Sequence, residues 1–174
     1  TQSSNISVIV SIAPIFTGIL AHFFLEGEKM KKSIVLGFVC AMAGICLITF
    51  QKGEPVELNP LGDFLGVAAA AIWGVYSICS RKIAGFGYDT IITTRRTFFY
   101  GILFMLCALP FMDFHLSLSA LLKPVNLGNI IYLGVGASAI CFVTWNYAVK
   151  SLGATRASVY IYGIPVVTIL MSIP

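Results

Sequence analysis

Six long apolar runs separated by short clusters of charge constrain this chain more than any other feature. The runs are Ile6–Leu25, Ser33–Phe50, Leu61–Ser80, roughly Thr94–Met112, Leu127–Val149 and Ala157–Pro174. An α-helix rises about 1.5 Å per residue, so about 20 residues cross about 30 Å of hydrocarbon. Lipid offers no partners for backbone N–H and C=O groups, which leaves helices or a closed barrel. The runs lack the strict apolar and polar alternation of barrel strands. The expected fold is therefore an all-α membrane protein with six transmembrane helices. Composition agrees. Of the 174 residues, 58% are hydrophobic and 10% charged, against about 25% charged in soluble domains. So little charge could not cover a water-facing surface of this size.

The same pattern excludes several function classes. Cys40, Cys46, Cys79, Cys107 and Cys141 all fall inside apolar runs at no metal-like spacing, so they are expected to be small packing residues. There is no HExxH, no phosphate-binding glycine loop with lysine, and no acid pair within a span. Enzymatic chemistry, direct ATP use, metals and cofactors are thus not expected. The net charge of +4 forms no nucleic-acid patch. The expected partners are a small-molecule metabolite and the lipid bilayer, with a homodimer left open.

Local signals mark the loops. Asn59-Pro60 suits a helix start, Asn126 is a candidate cap for the fifth span, and Gly85, Gly87 and Gly153 break the chain. Lys29, Lys31, Lys32, Arg81, Lys82, Arg95, Arg96, Lys150 and Arg156 fall on one side of the spans, and only Lys52 and Lys123 on the other. The positive-inside rule makes the first side cytoplasmic and puts both ends of this chain on the non-cytoplasmic side. The expected location is the cell membrane, which in a bacterium is the inner membrane. The chain begins with Thr1 and stops at Pro174 within an apolar run, so it is expected to be a piece of a longer protein.

The first and last spans match each other. Ser7-Val8 aligns with Ser158-Val159, Pro14 with Pro165 and Thr17 with Thr168, at a constant offset of 151 residues. The copies lie five spans apart, first and sixth, so they cross the membrane in opposite directions, as in the inverted repeats of secondary transporters. The stretch "SNISVIVSIAPIFTGILAHFFLEGEKMKKSIVLGFVCAMAGICLI" resembles the fourth and fifth helices of an EamA domain. "GDFLGVAAAAIWGVYSICSRK" resembles the start of a second such domain, and "TWNYAVKSLGATRASVYIYGIPVVTIL" its third and fourth helices. The chain thus resembles the EamA group of the drug/metabolite transporter superfamily. The resemblance implies ten helices in two inverted five-helix repeats, of which three helices before Thr1 and one after Pro174 are not in this chain. It divides the chain into residues 1–52, the end of the first repeat, and residues 59–174, the first four helices of the second.

Candidate site residues follow from position and type. Ser11, Trp73, Tyr76, Asn146 and Tyr162 are candidate substrate contacts. Trp73 lies about two turns inside its span from Arg81, deeper than an interfacial belt requires. Trp145, Asn146 and Tyr147 precede Lys150 closely, so an interface belt competes with a substrate role there. Pro14 and Pro165 are candidate hinges, since proline inside a helix removes a hydrogen bond. Glu28 matches the acid that EamA domains carry after their fourth helix, and Arg96, or its neighbour Arg95, the basic residue at the start of the seventh. Both are expected at the cytoplasmic end, as gating or anchoring charges, with any exposed pair worth only about 0–1 kcal/mol. Gly66, Ala70 and Gly74, and Gly37 with Ala41, form small-residue stripes suited to close helix contact. None of the seven acids lies at mid-membrane, so this chain offers no obvious coupling carboxylate.

The leading expectation is a secondary transporter that exports small metabolites such as amino acids by alternating access. The alternatives are a membrane scaffold or assembly subunit, and a related carrier of sugar phosphates or nucleotide sugars, for which the deep Lys or Arg residues are lacking.

Overall fold

A computed structural model describes residues 11–51, 59–111, 121–164 and 167. Every element among them is helical. They divide into two compact units, one built from residues up to Lys82 together with Val149 onward, the other from Ile83–Ala148.

In the first unit, α1 is Ala13–Phe24. Pro14 occupies its first turn, where the missing N–H costs no helical bond. Leu25 is extended, and Gly27 turns the chain at φ +87°. Helix α2 is Lys32–Gln51, close to the expected second span. It buries Phe38 and Ile45 and turns Leu36, Val39 and Leu47 outward. Among the described residues the expected Gly37–Ala41 stripe makes no close contact at Gly37, where a Cβ would meet open space. The next residue faces inward instead. Phe38 fills the notch at Gly18 of α1, where an added Cβ would lie 3.2 Å from its ring.

Helix α3 is Pro60–Gly85. Asn59 caps it as the sequence indicates, its Oδ1 accepting from the Gly62 N–H at 3.1 Å. The helix runs five residues past the expected Ser80 and ends before Gly87, whose φ is +81°. Its buried face is Ala70, Gly74, Ser77 and Ile78. Gly74 approaches the backbone of α1 so closely that a Cβ would lie 3.2 Å from Thr17 N and 3.3 Å from Phe16 C. The small-residue stripe on α3 is thus a helix contact at Ala70 and Gly74.

In the second unit, α4 is Thr90–Ala108, followed by a 3₁₀ turn at Leu109–Phe111. Asp89 caps it, its Oδ1 accepting from Ile91 N at 2.9 Å and Ile92 N at 3.0 Å. The helix therefore starts before the expected Thr94, and Arg95 and Arg96 lie in its second turn rather than at its mouth. Helix α5 runs continuously over Pro124–Leu152, its last four residues belonging to the first unit. Lys123, not Asn126, is its N-cap, and Pro124 opens the first turn. Proline pushes the preceding residue to extended geometry and presets its own φ for a helix, which fixes the start here. Residues Tyr132–Ile140 are wound as a π-helix, a form found mostly as local bulges in α-helices. Beyond this, Phe142 packs edge-on against Phe98 of α4 at 5.2 Å.

Helix α6, back in the first unit, is Ala154–Val159 and continues as a 3₁₀ turn over Tyr160–Gly163. It begins three residues before the expected Ala157. Half of the sixth expected span, including Pro165, lies outside the described residues.

Among the described residues, three helices are apolar and long enough to cross a membrane: Pro60–Gly85, Thr90–Phe111 and Pro124–Leu152. The apolar helices Ala13–Phe24 and Lys32–Leu47 are shorter. Large side chains such as Leu36, Phe64 and Phe104 point outward, which suits lipid and not water. The chain is an all-α membrane protein.

Candidate functional site

Among the described residues, a dense polar cluster lies in the first unit, around Glu28. It stands four residues after the end of α1 and carries two negative oxygens into the start of α6. Its Oε1 accepts from Arg81 Nε at 2.9 Å and from the Ala154 N–H at 3.1 Å, and its Oε2 from the Thr155 N–H at 3.0 Å. Arg81, from the last turns of α3, uses Nη1 to donate to the carbonyl oxygens of Val149 and Lys150 at the end of α5. Glu28 follows the C-terminal end of α1 and seats the N-terminal end of α6. The two helices, which pack against each other, therefore meet this end of the unit with opposite chain directions.

Gly153 explains how a carboxylate reaches α6. Its φ of +91° lies in the region open to glycine, and a Cβ there would stand 2.6 Å from Glu28 Oε1. With no side chain at the N-cap, α6 lacks a cap of its own, and Glu28 supplies one. An anion at a helix N-terminus and a cation at a helix C-terminus both match the helix dipole. The expectation of an exposed, weak pair is corrected here. The Glu28 side chain is only 14% exposed, and its bonds are charge-assisted, the stronger kind. Its partner is Arg81. Arg96, the other candidate gating charge, is exposed on α4 in the second unit.

Around this end, Lys82 Nζ stands 5.8 Å over the Phe24 ring, and His22 Nδ1 accepts from the Met30 N–H at 3.3 Å. The first joins the ends of α3 and α1, and the second ties the loop after α1 back to that helix.

The candidate substrate residues fall into separate groups. Trp73 and Tyr76 stand on one side of α3, half-buried, with ring centroids 5.6 Å apart and planes inclined at 42°. Ser77, fully buried, donates to the Trp73 carbonyl at 3.0 Å. Tyr162 packs edge-on against Phe38 at 5.9 Å, and its hydroxyl is buried without a hydrogen-bond partner among the described residues. Ser11 is buried just before α1. In the second unit, Asn146 is buried and its Nδ2 donates to Thr94 Oγ1 at 2.9 Å. Thr94 in turn donates to the Thr90 carbonyl at 2.7 Å. The neighbouring Tyr147 is exposed, so the aromatic-polar run does not act as one cluster.

Two residues of these networks escape a reading of the sequence. Arg81 counts there only as a cytoplasmic charge, and Thr94 only as the mouth of a span. The available signal for Arg81 is the bare Gly153 N-cap, which needs acceptors and donors from elsewhere in the chain.

The family model for EamA-like transporters matches residues 1–50 and 60–174. The chain belongs to the EamA-like transporter family. A Bacillus subtilis protein named "Uncharacterized transporter YyaM" is 27% identical over 99% of this EamA-like chain and 56% of its own length. A "Probable terminal-alkyne amino-acid exporter" of Streptantibioticus cattleyicolor is 28% identical over 95% of this chain and 54% of its own. The chain spans about half the length of the curated relatives it matches. One crystal structure matches with a TM-score of 0.71, covering 100% of this chain and 61% of its own at 21% identity, a likeness of fold. These relatives are named as transporters, not as enzymes.

Proposed function

We propose that the whole protein is a secondary transporter that exports a small metabolite such as an amino acid by alternating access. It is a ten-helix carrier of two inverted repeats, residues 1–52 closing the first and residues 59–174 opening the second. The observation that carries the reading is the arrangement at Glu28. The described helices next to the two matched stretches, α1 ending before Glu28 and α6 starting beside it, meet one end of the first unit with opposite chain directions, as an inverted repeat requires. The basic residues Lys29, Lys31, Lys32, Arg81, Lys82, Lys150 and Arg156 belong to the same end. By the positive-inside rule that end is cytoplasmic and the membrane is that of the cell.

The substrate class follows from the S. cattleyicolor relative and from the candidate residues, which are neutral. In the first unit Trp73 and Tyr76 offer aromatic faces and Ser11 and Tyr162 offer hydroxyls; in the second, Asn146, held by Thr94, is proposed separately as an amide contact. Such a set suits an uncharged or zwitterionic molecule. Pro165 is a proposed hinge within its span, and Pro14 is proposed as one only at the junction where α1 begins, since it stands in the first turn and not inside the helix.

The test is a resistance screen in cells expressing the complete gene, against amino acids and their analogues, followed by efflux of each hit from preloaded cells. Resistance with faster efflux is expected. Growth and efflux equal to the empty vector across the panel would overturn amino-acid export.

A further inference from the structure

The corner between α5 and α6 is held by two side chains from outside it. Its N–H groups at Ala154 and Thr155 go to Glu28, its carbonyls at Val149 and Lys150 go to Arg81, and the two charges are paired with each other. Glu28 comes from the proposed first repeat, and every partner in the cluster from the second. The carboxylate is carried on a non-helical loop, residues 25–31, pivoted at Gly27 with φ +87°. Gly153 leaves space for the carboxylate and for nothing bulkier.

The cluster thus joins the repeats by side-chain tips. Opening it requires a shift of one loop and leaves the apolar face between α1 and α3 in place. Once open, the first N–H groups of α6 and the last carbonyls of α5 can be met by water, since this end is where the basic residues collect.

We infer that the Glu28–Arg81 pair is a latch between the two repeats, closed in this structure and released when the carrier changes state. The inference rests on the carrier reading above. With the latch closed, α6 is pinned against α1 at the cytoplasmic end. Release of Glu28 frees the α5–α6 corner to swing and opens that end.

The test uses the full-length protein in lipid vesicles, with native cysteines replaced and one reporter introduced by Ser158→Cys. Ser158 is fully buried on α6, one turn past the latch. In the parent, maleimide labelling of the reporter is expected to be slow. Glu28→Gln is expected to raise the labelling rate roughly fivefold or more, the scale of a coupling between two states. Arg81→Lys keeps the charge but loses the guanidinium fork, and is expected to raise it less. Lys29→Gln, beside the latch but outside it, is expected to match the parent. Helicity and melting temperature are recorded for each variant, and if Glu28→Gln fails to fold, Arg81→Lys decides. Equal labelling in all four proteins would overturn the latch. Transport by the parent, measured in the same vesicles, is a separate readout. A parent that moves no substrate from the amino-acid panel tells against the carrier reading, and labelling still decides whether the pair opens.

Discussion

Gly153 and Glu28 are in direct contact, with the glycine's missing Cβ position only 2.6 Å from the carboxylate oxygen. The backbone there has φ +91°, so two constraints fall on one residue. Gly153→Ala adds an atom where the carboxylate stands and forces an L side chain into strained backbone, a cost of about 1–3 kcal/mol. The full-length variant is expected to melt at lower temperature in detergent than the parent. Gly37→Ala, which meets open space, should melt within error of it. Equal melting of Gly153→Ala and parent would remove the close approach from the account of this corner.

Gly74 carries a different constraint. Its helical backbone is unstrained, but α1 lies across it, with Thr17 N and Phe16 C at 3.2 and 3.3 Å from a built Cβ. Gly74→Val pushes α1 away from α3, and overpacking of this kind costs about 1–3 kcal/mol. Reduced yield of folded protein and a lower melting temperature are expected. Gly37→Val on the outward side of α2 should leave both unchanged, and a matching loss there would assign the effect to general intolerance of helix substitutions.

Thr94 and Asn146 form a buried pair, so their single and double substitutions should not add. Thr94→Val deletes the hydroxyl and leaves the Asn146 amide without that partner, a cost of about 1–3 kcal/mol. Asn146→Leu alone also leaves Thr94 with a lost partner. Replacing both by apolar groups removes the unmet demand, so the double variant should be less destabilised than the sum of the singles. A melting shift equal to that sum would show that the 2.9 Å contact contributes nothing.

Much of the fold is legible because lipid imposes a simple rule. Apolar runs of near-membrane length become helices, and Asn59-Pro60 starts α3 where its residue types indicate. Helix ends are less legible where competing caps occur. Asp89 starts α4 a turn before Thr94, and Pro124 starts α5 ahead of Asn126. Packing faces depend on the neighbour. On α2 the large Phe38 turns inward and small Gly37 outward, because Gly18 on α1 provides a notch for a ring. The Glu28 cluster is least legible. Its position at a helix end is evident from the sequence, but its burial and its choice of Arg81 depend on a corner more than 120 residues away, at Ala154 and Thr155. The π-wound stretch of α5 has no periodic signal, though Gly134 and Gly136 within it are poor helix formers.

Trp73 offers the most direct test of where substrate binds. The ring is half-buried on α3, tilted against Tyr76 at 5.6 Å. Its backbone carbonyl accepts from the Ser77 hydroxyl, a bond that substitution of the side chain at position 73 does not remove. Trp73→Ala is therefore expected to leave membrane insertion and the amount of folded protein close to the parent. Loss of an aromatic face is worth about 1–3 kcal/mol where a ring is stacked upon, or roughly a five- to hundredfold loss of transport efficiency for an aromatic substrate. Trp73→Phe retains a face and should recover most of it. A small aliphatic substrate, which cannot stack, should lose less. Export by Trp73→Ala equal to the parent for every transported amino acid would remove Trp73 from the substrate path and leave it as a packing residue beside Tyr76.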